Sequence, residues 1–399
     1  MVDGTWRKVA KAAGLLDSSG VPAPTIFARM SALATQTGAI NLGQGFPDTD
    51  GPAVVLEAAV SAIRGGQNQY PPGKGIAPLR RAIAEHQGHW YGLDVNPDTE
   101  VLVTAGATEA LTASIVALTE PGDEVVVLEP IYDSYSAAIE IAGAVRRTVK
   151  LEWPEYRLRA EALAEAVTDR TRLILLNTPH NPTGRVLERT ELEAVAAIAR
   201  ERDLIVVADE VYEHLAFTDG DRNQHVPIAT LPGMAERTVT ISSAGKTFSV
   251  TGWKIGWLHA RPEIVDAVTA VKQFLTYVNG SPFQPAVAQG LALPDEEIRA
   301  IGSDLARRSA MLTEGLAAAD FDVRPSDGTY FVIADAAPLG YTDGAALCND
   351  LPGLAGVVAV PVQAFAEDPS QPSSLVRFAC CKRTEVIAEA AERLARIRG

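Results

Sequence analysis

Cysteine is scarce in this sequence: Cys348, Cys380 and Cys381 are the only three in 399 residues. An odd number with two of them adjacent makes a poor disulfide framework, and no CxxC pair offers the spacing of a zinc ribbon. A reducing, cytoplasmic setting is the expectation. Positive charge is short as well. Lys and Arg number 35 against 50 Asp and Glu, a formal net charge of −15. Nucleic-acid binders need clustered cations for the phosphate backbone, so nucleic acid is excluded as the main partner. A single local arginine can still hold a small anion. No run of about eighteen apolar residues is present, and no membrane partner is expected. The opening stretch MVDGTWRKVAKAAGLLDSS lacks the continuous apolar core of a secretory leader. Low-complexity tracts and fixed-period repeats are missing too.

What is present reads as a large α/β chain, 47% hydrophobic and 21% charged, long enough for two domains. Apolar runs at 101–104, 124–128, 172–176, 204–208 and 237–241 predict buried strands. Helical spacing fills the gaps at 107–118, 133–142, 159–167 and 190–202. Strands apolar on both faces, alternating with crossover helices, form a mainly parallel sheet covered on each side. Ligands bind such sheets beyond the carboxyl ends of the strands. Before this core, helices are expected at 25–37, 53–64 and 76–91, separated by a glycine-rich loop at 41–48 and a Pro/Gly loop at 68–75. After about residue 295 a long helix (295–319) leads into strands near 329–334, 357–360 and 375–379 and a closing helix at 383–397. The chain therefore divides into an N-terminal arm (1–52, part of the small domain), a large domain (53–295) and a smaller C-terminal α/β domain (296–399).

Several motifs fall at strand ends. Gly106, Ala107 and Thr108 sit where a strand meets a helix, and backbone N–H groups there can cradle a phosphate. The loop lacks the GxGxxG of a dinucleotide site, which argues against a nicotinamide oxidoreductase. Tyr132, in EPIYDSY, closes the second strand and can stack on a planar ring; Tyr135 is read as packing. In NTPHNPTG (177–184) two prolines and a glycine fix an irregular loop that holds Asn177 and Asn181, with Asn181 suited to a ring oxygen and Asn177 to the substrate side. His180 is read as structural. Asp209 ends an apolar strand, where an isolated carboxylate needs a cationic partner such as a pyridinium N–H; a helix N-cap is the plain alternative. Tyr212 follows within one turn. Ser242-Ser243-Ala244-Gly245-Lys246-Thr247-Phe248 surrounds one lysine with small residues, and Lys254 follows. A lysine held in such a loop forms an imine with an aldehyde, here pyridoxal 5′-phosphate (PLP), with Ser243 and Lys254 placed for its phosphate. Arg377 lies inside an apolar strand, where a guanidinium suits a planar carboxylate or a structural salt bridge.

Taken in order, NLGQGFPD, NQYPPGKG, EPIYDSY, NTPHNPTG, DEVYEHL, SSAGKTFSVTGWKIGW and LVRF resemble the signatures of class I, fold-type I aminotransferases over roughly residues 25–399. The likeness is to the branch of kynurenine/glutamine, methionine and actinobacterial succinyldiaminopimelate aminotransferases. The resemblance implies a large domain with a mainly parallel seven-stranded sheet between helices, a smaller α/β domain, PLP as cofactor and a ping-pong exchange between an amino acid and a 2-oxo acid. It implies that Lys246 carries the cofactor and shuttles the proton. Asp209 would hold the ring nitrogen, Asn181 and Tyr212 the ring oxygen, Tyr132 the ring face. Gly106, Ala107, Thr108, Ser243 and Lys254 would hold the phosphate. Tyr70 would reach that phosphate from a neighbouring subunit, so a homodimer is implied. Arg377, Asn177 and the backbone near Gly45 would take the substrate carboxylate. The family usually has Phe at the position of Tyr132 and a GGYGA-type loop where this chain has AGATEA, departures that alter the pocket wall. The leading expectation is an N-succinyl-LL-diaminopimelate:2-oxoglutarate aminotransferase. The alternative is a broad methionine, glutamine or kynurenine enzyme with cysteine-conjugate β-lyase activity. A PLP-binding regulator without turnover is disfavoured by the complete catalytic set.

Overall fold

The computed structural model describes residues 4–17, 19–217 and 225–397. The first three residues of the expected arm and the last two of the expected C-terminal domain lie outside them. Seven strands form the main sheet, in the spatial order Val101–Ala105, Ile255–His259, Thr238–Ser243, Ile205–Asp209, Thr171–Asn177, Glu124–Glu129, Val145–Lys150. Only Ile255–His259 runs antiparallel to its neighbours, and every other pair is parallel. The expected sheet is therefore observed, with two strands that the apolar runs did not reveal. Val145–Lys150 reads VRRTVK and is half exposed at the sheet edge. Ile255–His259 is buried throughout but directly follows the lysine loop.

The central strands are buried on both faces because Val, Ile and Leu fill their middle positions, as in Thr171–Asn177 and Ile205–Asp209. Helices cover them. Arg189–Glu201 starts from a capping box in which Glu188 and Glu191 satisfy each other's backbone N–H groups, and its apolar side packs into one core layer. Gly106–Leu118 packs on the other face, in a second layer. Helices Pro262–Lys272, Gln284–Leu291 and Gly344–Leu354 add to those expected. The NTPHNPTG stretch is irregular, as its prolines require.

A four-stranded antiparallel sheet, in the order Val360–Pro361, Leu375–Ala379, Phe331–Asp335, Asp322–Arg324, builds the second unit. Helices Asp295–Ala317 and Thr384–Leu394 pack together beside it. The early segment joins this unit. Ile40–Asn41 pairs in parallel with Val357–Val358, and Met30, Ala34 and Leu42 enter its core.

Register brings the chemistry to one edge. Asn177 pairs with Asp209, Asp209 with Ile241, Ser243 with Gly256 and Ala105 with Ile255. Gly256 lies so close to the neighbouring loop that a Cβ there would sit 2.5 Å from the Gly106 carbonyl carbon and 2.7 Å from the Ala107 nitrogen. Gly256→Ala should cost about 1–3 kcal/mol of stability, since both neighbours are backbone and cannot swing away. Chemical denaturation checks this, and an unchanged midpoint would mean that the loop yields freely.

Candidate active site

One cavity of about 270 Å³ opens at the carboxyl ends of the central strands, and its walls include Gly45, Gly106, Ala107, Thr108, Tyr132, Asn177, Asn181, Asp209, Tyr212, Ser243, Lys246, Lys254 and Arg377. Every expected site residue except Tyr70 is gathered here. Tyr70 lies elsewhere, 81% exposed, edge-on to Tyr277 on a face that also exposes Phe274 and Leu275.

The floor is Asp209. Burial pushes its carboxyl up to about 6, while the Tyr135 hydroxyl, which donates to Oδ2 at 2.6 Å, opposes that rise. No Lys, Arg or His among the described residues comes within ion-pair distance of Asp209, and its side chain does not cap a helix beyond a 3.3 Å contact from the Val211 N–H. A buried carboxylate so placed calls for a cation in the cavity. The reading of Tyr135 as simple packing is thus incomplete. It lies one helical turn beyond Tyr132, so the spacing of the two tyrosines could have shown that they share a face.

Lys246 follows the Thr238–Ser243 strand on a single helical turn. Removal from water lowers its amine to about 8. Its Nζ donates to the Tyr330 hydroxyl at 2.9 Å, and that hydroxyl donates to the Gly45 carbonyl at 2.5 Å. Tyr330, from the second unit, escaped sequence reasoning because no local pattern places it within reach of a lysine 84 residues away. Gly45 admits no side chain, because a Cβ would meet the Phe331 ring at 2.8 Å.

Phosphate chemistry fits the opposite wall. Gly106 adopts φ +74°, a conformation that favours glycine, and opens the helix Gly106–Leu118, whose first N–H groups are free for an anion. Lys254 itself has φ 53°, and its Nζ would lie 3.2 Å from a Cβ at Gly106. The lysine ammonium and the helix start therefore face the same space, with Ser243 on the strand beside them.

Arg377 decides between the two readings of a strand arginine. It is buried, at 2% exposure, and burial lowers it to about 10. Its donors go to Asn181 Oδ1 (2.9 Å) and the Gly43 carbonyl (3.0 Å), and its Nε has no partner. No carboxylate among the described residues pairs with it. Phe331 stacks 4.0 Å from the guanidinium carbon, with Phe365 at 4.6 Å. The salt-bridge reading fails, and an unpaired guanidinium at a cavity wall is an anion receptor. Asn181 spends its oxygen on Arg377, which leaves its Nδ2 to donate. Asn177 is anchored on both sides, donating to the Asp209 carbonyl (2.9 Å) and accepting from the Asn181 N–H (2.8 Å), so it fixes the loop as well as lining the cavity. His180 bonds Thr183 at 2.8 Å, is pushed down to about 3 by burial and lines no part of the cavity.

The family model described as aminotransferase class I and II matches residues 37–394. The chain belongs to this family. It is a transaminase, in a family and fold that depend on PLP. A Mycobacterium tuberculosis protein named probable N-succinyldiaminopimelate aminotransferase DapC is 52% identical, with 93% of this chain and 96% of that protein aligned. The solved structure of the M. tuberculosis N-succinyldiaminopimelate aminotransferase superposes with a TM-score of 0.90 at 53% identity, covering 94% of this chain and 97% of that one. The methionine aminotransferase of Escherichia coli K12 is 38% identical over 93% of this chain and 95% of its own length. No helix among the described residues is long and apolar enough to cross a membrane.

The position of Asp209 predicts a pH dependence outside turnover. A carboxyl raised to about 6 is protonated below that pH, so affinity for a cofactor whose cationic group rests on this carboxylate should fall as pH drops through about 6. Tyr135→Phe removes a hydrogen bond that favours the anion and should move this fall to higher pH. Cofactor dissociation constants measured across pH 5 to 8, the range set by that group, check the shift; coincident profiles would show that the phenol does not act on the carboxylate.

Proposed function

We propose that this chain transfers an amino group from N-succinyl-LL-diaminopimelate to a 2-oxo acid such as 2-oxoglutarate, with PLP as its cofactor. The observation that carries the chemistry is the joint placement of a desolvated lysine, an unpaired buried carboxylate and an unpaired buried guanidinium around one cavity. The identity to the M. tuberculosis enzyme supports the substrate. When bound, PLP supplies an electron sink for the pair released as the substrate loses its Cα proton. Asp209 would bind the ring nitrogen, Asn181 and Tyr212 the ring oxygen, and Tyr132 the ring face. Gly106, Ala107, Thr108, Ser243 and Lys254 would hold the phosphate. Arg377 orients the substrate by its α-carboxylate, with Asn177 and the Gly45 backbone beside it. Lys246 Nζ takes and returns the Cα proton, for which an amine lowered to about 8 is suited near neutral pH.

Two further features belong to this reading. The exposed Tyr70, Phe274 and Leu275 favour a second copy of the chain covering this face, with Tyr70 completing the partner's phosphate site. Three buried free thiols suit a reducing, cytoplasmic compartment. The early segment to residue 52, residues 53–295 and residues 296–399 act as arm, large domain and small domain.

Lys246→Ala should reduce transamination by at least about 10⁴-fold, since one amine serves both cofactor attachment and proton transfer; near-normal turnover would overturn the site. For the substrate, the cofactor-loaded enzyme is mixed in single turnovers with N-succinyl-LL-diaminopimelate, glutamate, methionine, glutamine and kynurenine, following the cofactor's absorption. Fastest conversion by the succinyl compound is expected. A preference for methionine, glutamine or kynurenine would replace it with the broad-specificity reading, which the aromatic wall of Phe27, Phe46 and Phe331 favours.

A further inference from the structure

Beside the Asp209 segment lies a second group of titratable side chains that the cleft does not use. Four of the six histidines gather there. His86 Nε2 stands 2.7 Å from His214 Nε2. His225 Nε2 meets Glu210 at 3.0 Å, and His259 is close enough to feel the charges of Glu213 and His86. The Glu213 carboxylate accepts from the Tyr91 hydroxyl at 2.8 Å and from the Ser242 hydroxyl at 2.5 Å. One nitrogen from each of His86 and His214 and one oxygen of Glu213 all lie within 4.8 Å of one another. A cavity of about 110 Å³ adjoins them, with Tyr91, Glu213, His214 and His225 in its wall.

We propose that His86, His214 and Glu213 form a binding site for one divalent transition-metal ion of the zinc class, with a further coordination position facing this cavity. Two imidazoles and a carboxylate with an open position are a donor set that zinc accepts and that magnesium and calcium do not favour. Metal ligands are oriented by outer partners, and these exist. Tyr91 and Ser242 fix the carboxylate. The Gln87 amide lies 3.5 Å from His86 Nδ1, and its Oε1 has no other partner. With the amide turned over, that oxygen would accept the Nδ1 proton and leave the Nε2 lone pair for the metal.

The spacing states what must move. At 2.7 Å the two nitrogens are placed to share one proton, whereas on one zinc they would stand about 3.3 Å apart, given Zn–N bonds of about 2.0–2.1 Å. His214 sits on the short turn Glu213–Leu215, half-buried and beside the cavity, so it can give the difference. Arg299, stacked over Trp90 at 4.8 Å, adds a repulsive charge that Glu213 and Glu210 offset. An ion here would pin the helix Ala77–Tyr91 to the turn that follows Asp209 and Tyr212, and so brace the cofactor's floor from behind.

The test uses the PLP-loaded protein, stripped of metal by dialysis and titrated with Co²⁺. The expected result is one Co²⁺ per chain, with the visible bands of a four- or five-coordinate site, displaced by equimolar Zn²⁺. His86→Gln and His214→Gln should weaken binding by about 100-fold or more, since loss of an outer partner alone costs 10–100-fold, while the exposed His89→Gln should leave it unchanged. No saturable binding, or binding equal in the wild type and both variants, would overturn the site and leave the histidine pair sharing a proton. Should the variants fail to fold, X-ray absorption of the Zn²⁺-loaded wild type decides. Two imidazoles with oxygen in the first shell support the proposal, and oxygen alone refutes it.

Discussion

The Asp209 carboxylate sits at the end of an almost wholly buried strand, held by one phenol and by no cation among the described residues. Desolvation makes its charge costly, and the cost is what gives it specificity: any ligand that brings a positive group to that point recovers the penalty, and a neutral one does not. Much of the surrounding structure exists to keep this carboxylate dry and correctly aimed. The Thr171–Asn177 and Thr238–Ser243 strands flank it in parallel register. Asn177 grips the Asp209 carbonyl, so the residue that turns the next loop also fixes the backbone of the acid. A shift of one residue in either pairing would turn Asp209 to the other face of the sheet.

The second unit supplies what the sheet cannot. Parallel strands present their carboxyl ends to one side only, so a ligand lying over those ends must be met from across the cleft. Arg377 and Phe331 come from the antiparallel sheet and Tyr330 from the residue just before its Phe331–Asp335 strand, while Gly43 and Gly45 follow the early strand Ile40–Asn41, which pairs with Val357–Val358. Tyr330 joins both sides directly, accepting from Lys246 and donating to Gly45. The lysine and the Arg377 wall are thereby set in one frame, and a displacement of the second unit would be felt at the Lys246 amine.

The legible parts of the sequence were those with a local cause. Uniform apolar runs gave five strands, while VRRTVK was hidden by its polar edge position and Ile255–His259 by its closeness to the lysine motif. Lys246, Asp209, Asn181 and Lys254 announced themselves through small residues, prolines or an isolated charge in apolar surroundings. Tyr135 and Tyr330 did not, because a buried tyrosine looks the same in sequence whether its hydroxyl packs or bonds. Arg377 stood between: its strand was evident, but whether a carboxylate waited opposite depended on contacts with Gly43 and Asn181, 334 and 196 residues away.

Net charge and local charge point in opposite directions here. The chain carries −15, yet Lys246, Lys254 and Arg377 share the walls of one cavity whose proposed occupants, a phosphate and carboxylate-bearing substrates, are anions. Surface carboxylates beyond about 8–10 Å are screened by salt at physiological strength, whereas the buried Arg377 and the half-buried Lys246 act through a poorly screened medium. The short-range positive field therefore governs binding, and the distant negative surface acts mainly on solubility and on encounter. In the proposed function each of the three cations also has a geometric task that the other two cannot perform: a nucleophilic amine, a phosphate contact at a helix start, and a planar fork for a carboxylate. Arg377 has no carboxylate partner among the described residues, and the aromatic rings stacked around it hold the guanidinium in place without neutralising it, which leaves its charge for a ligand.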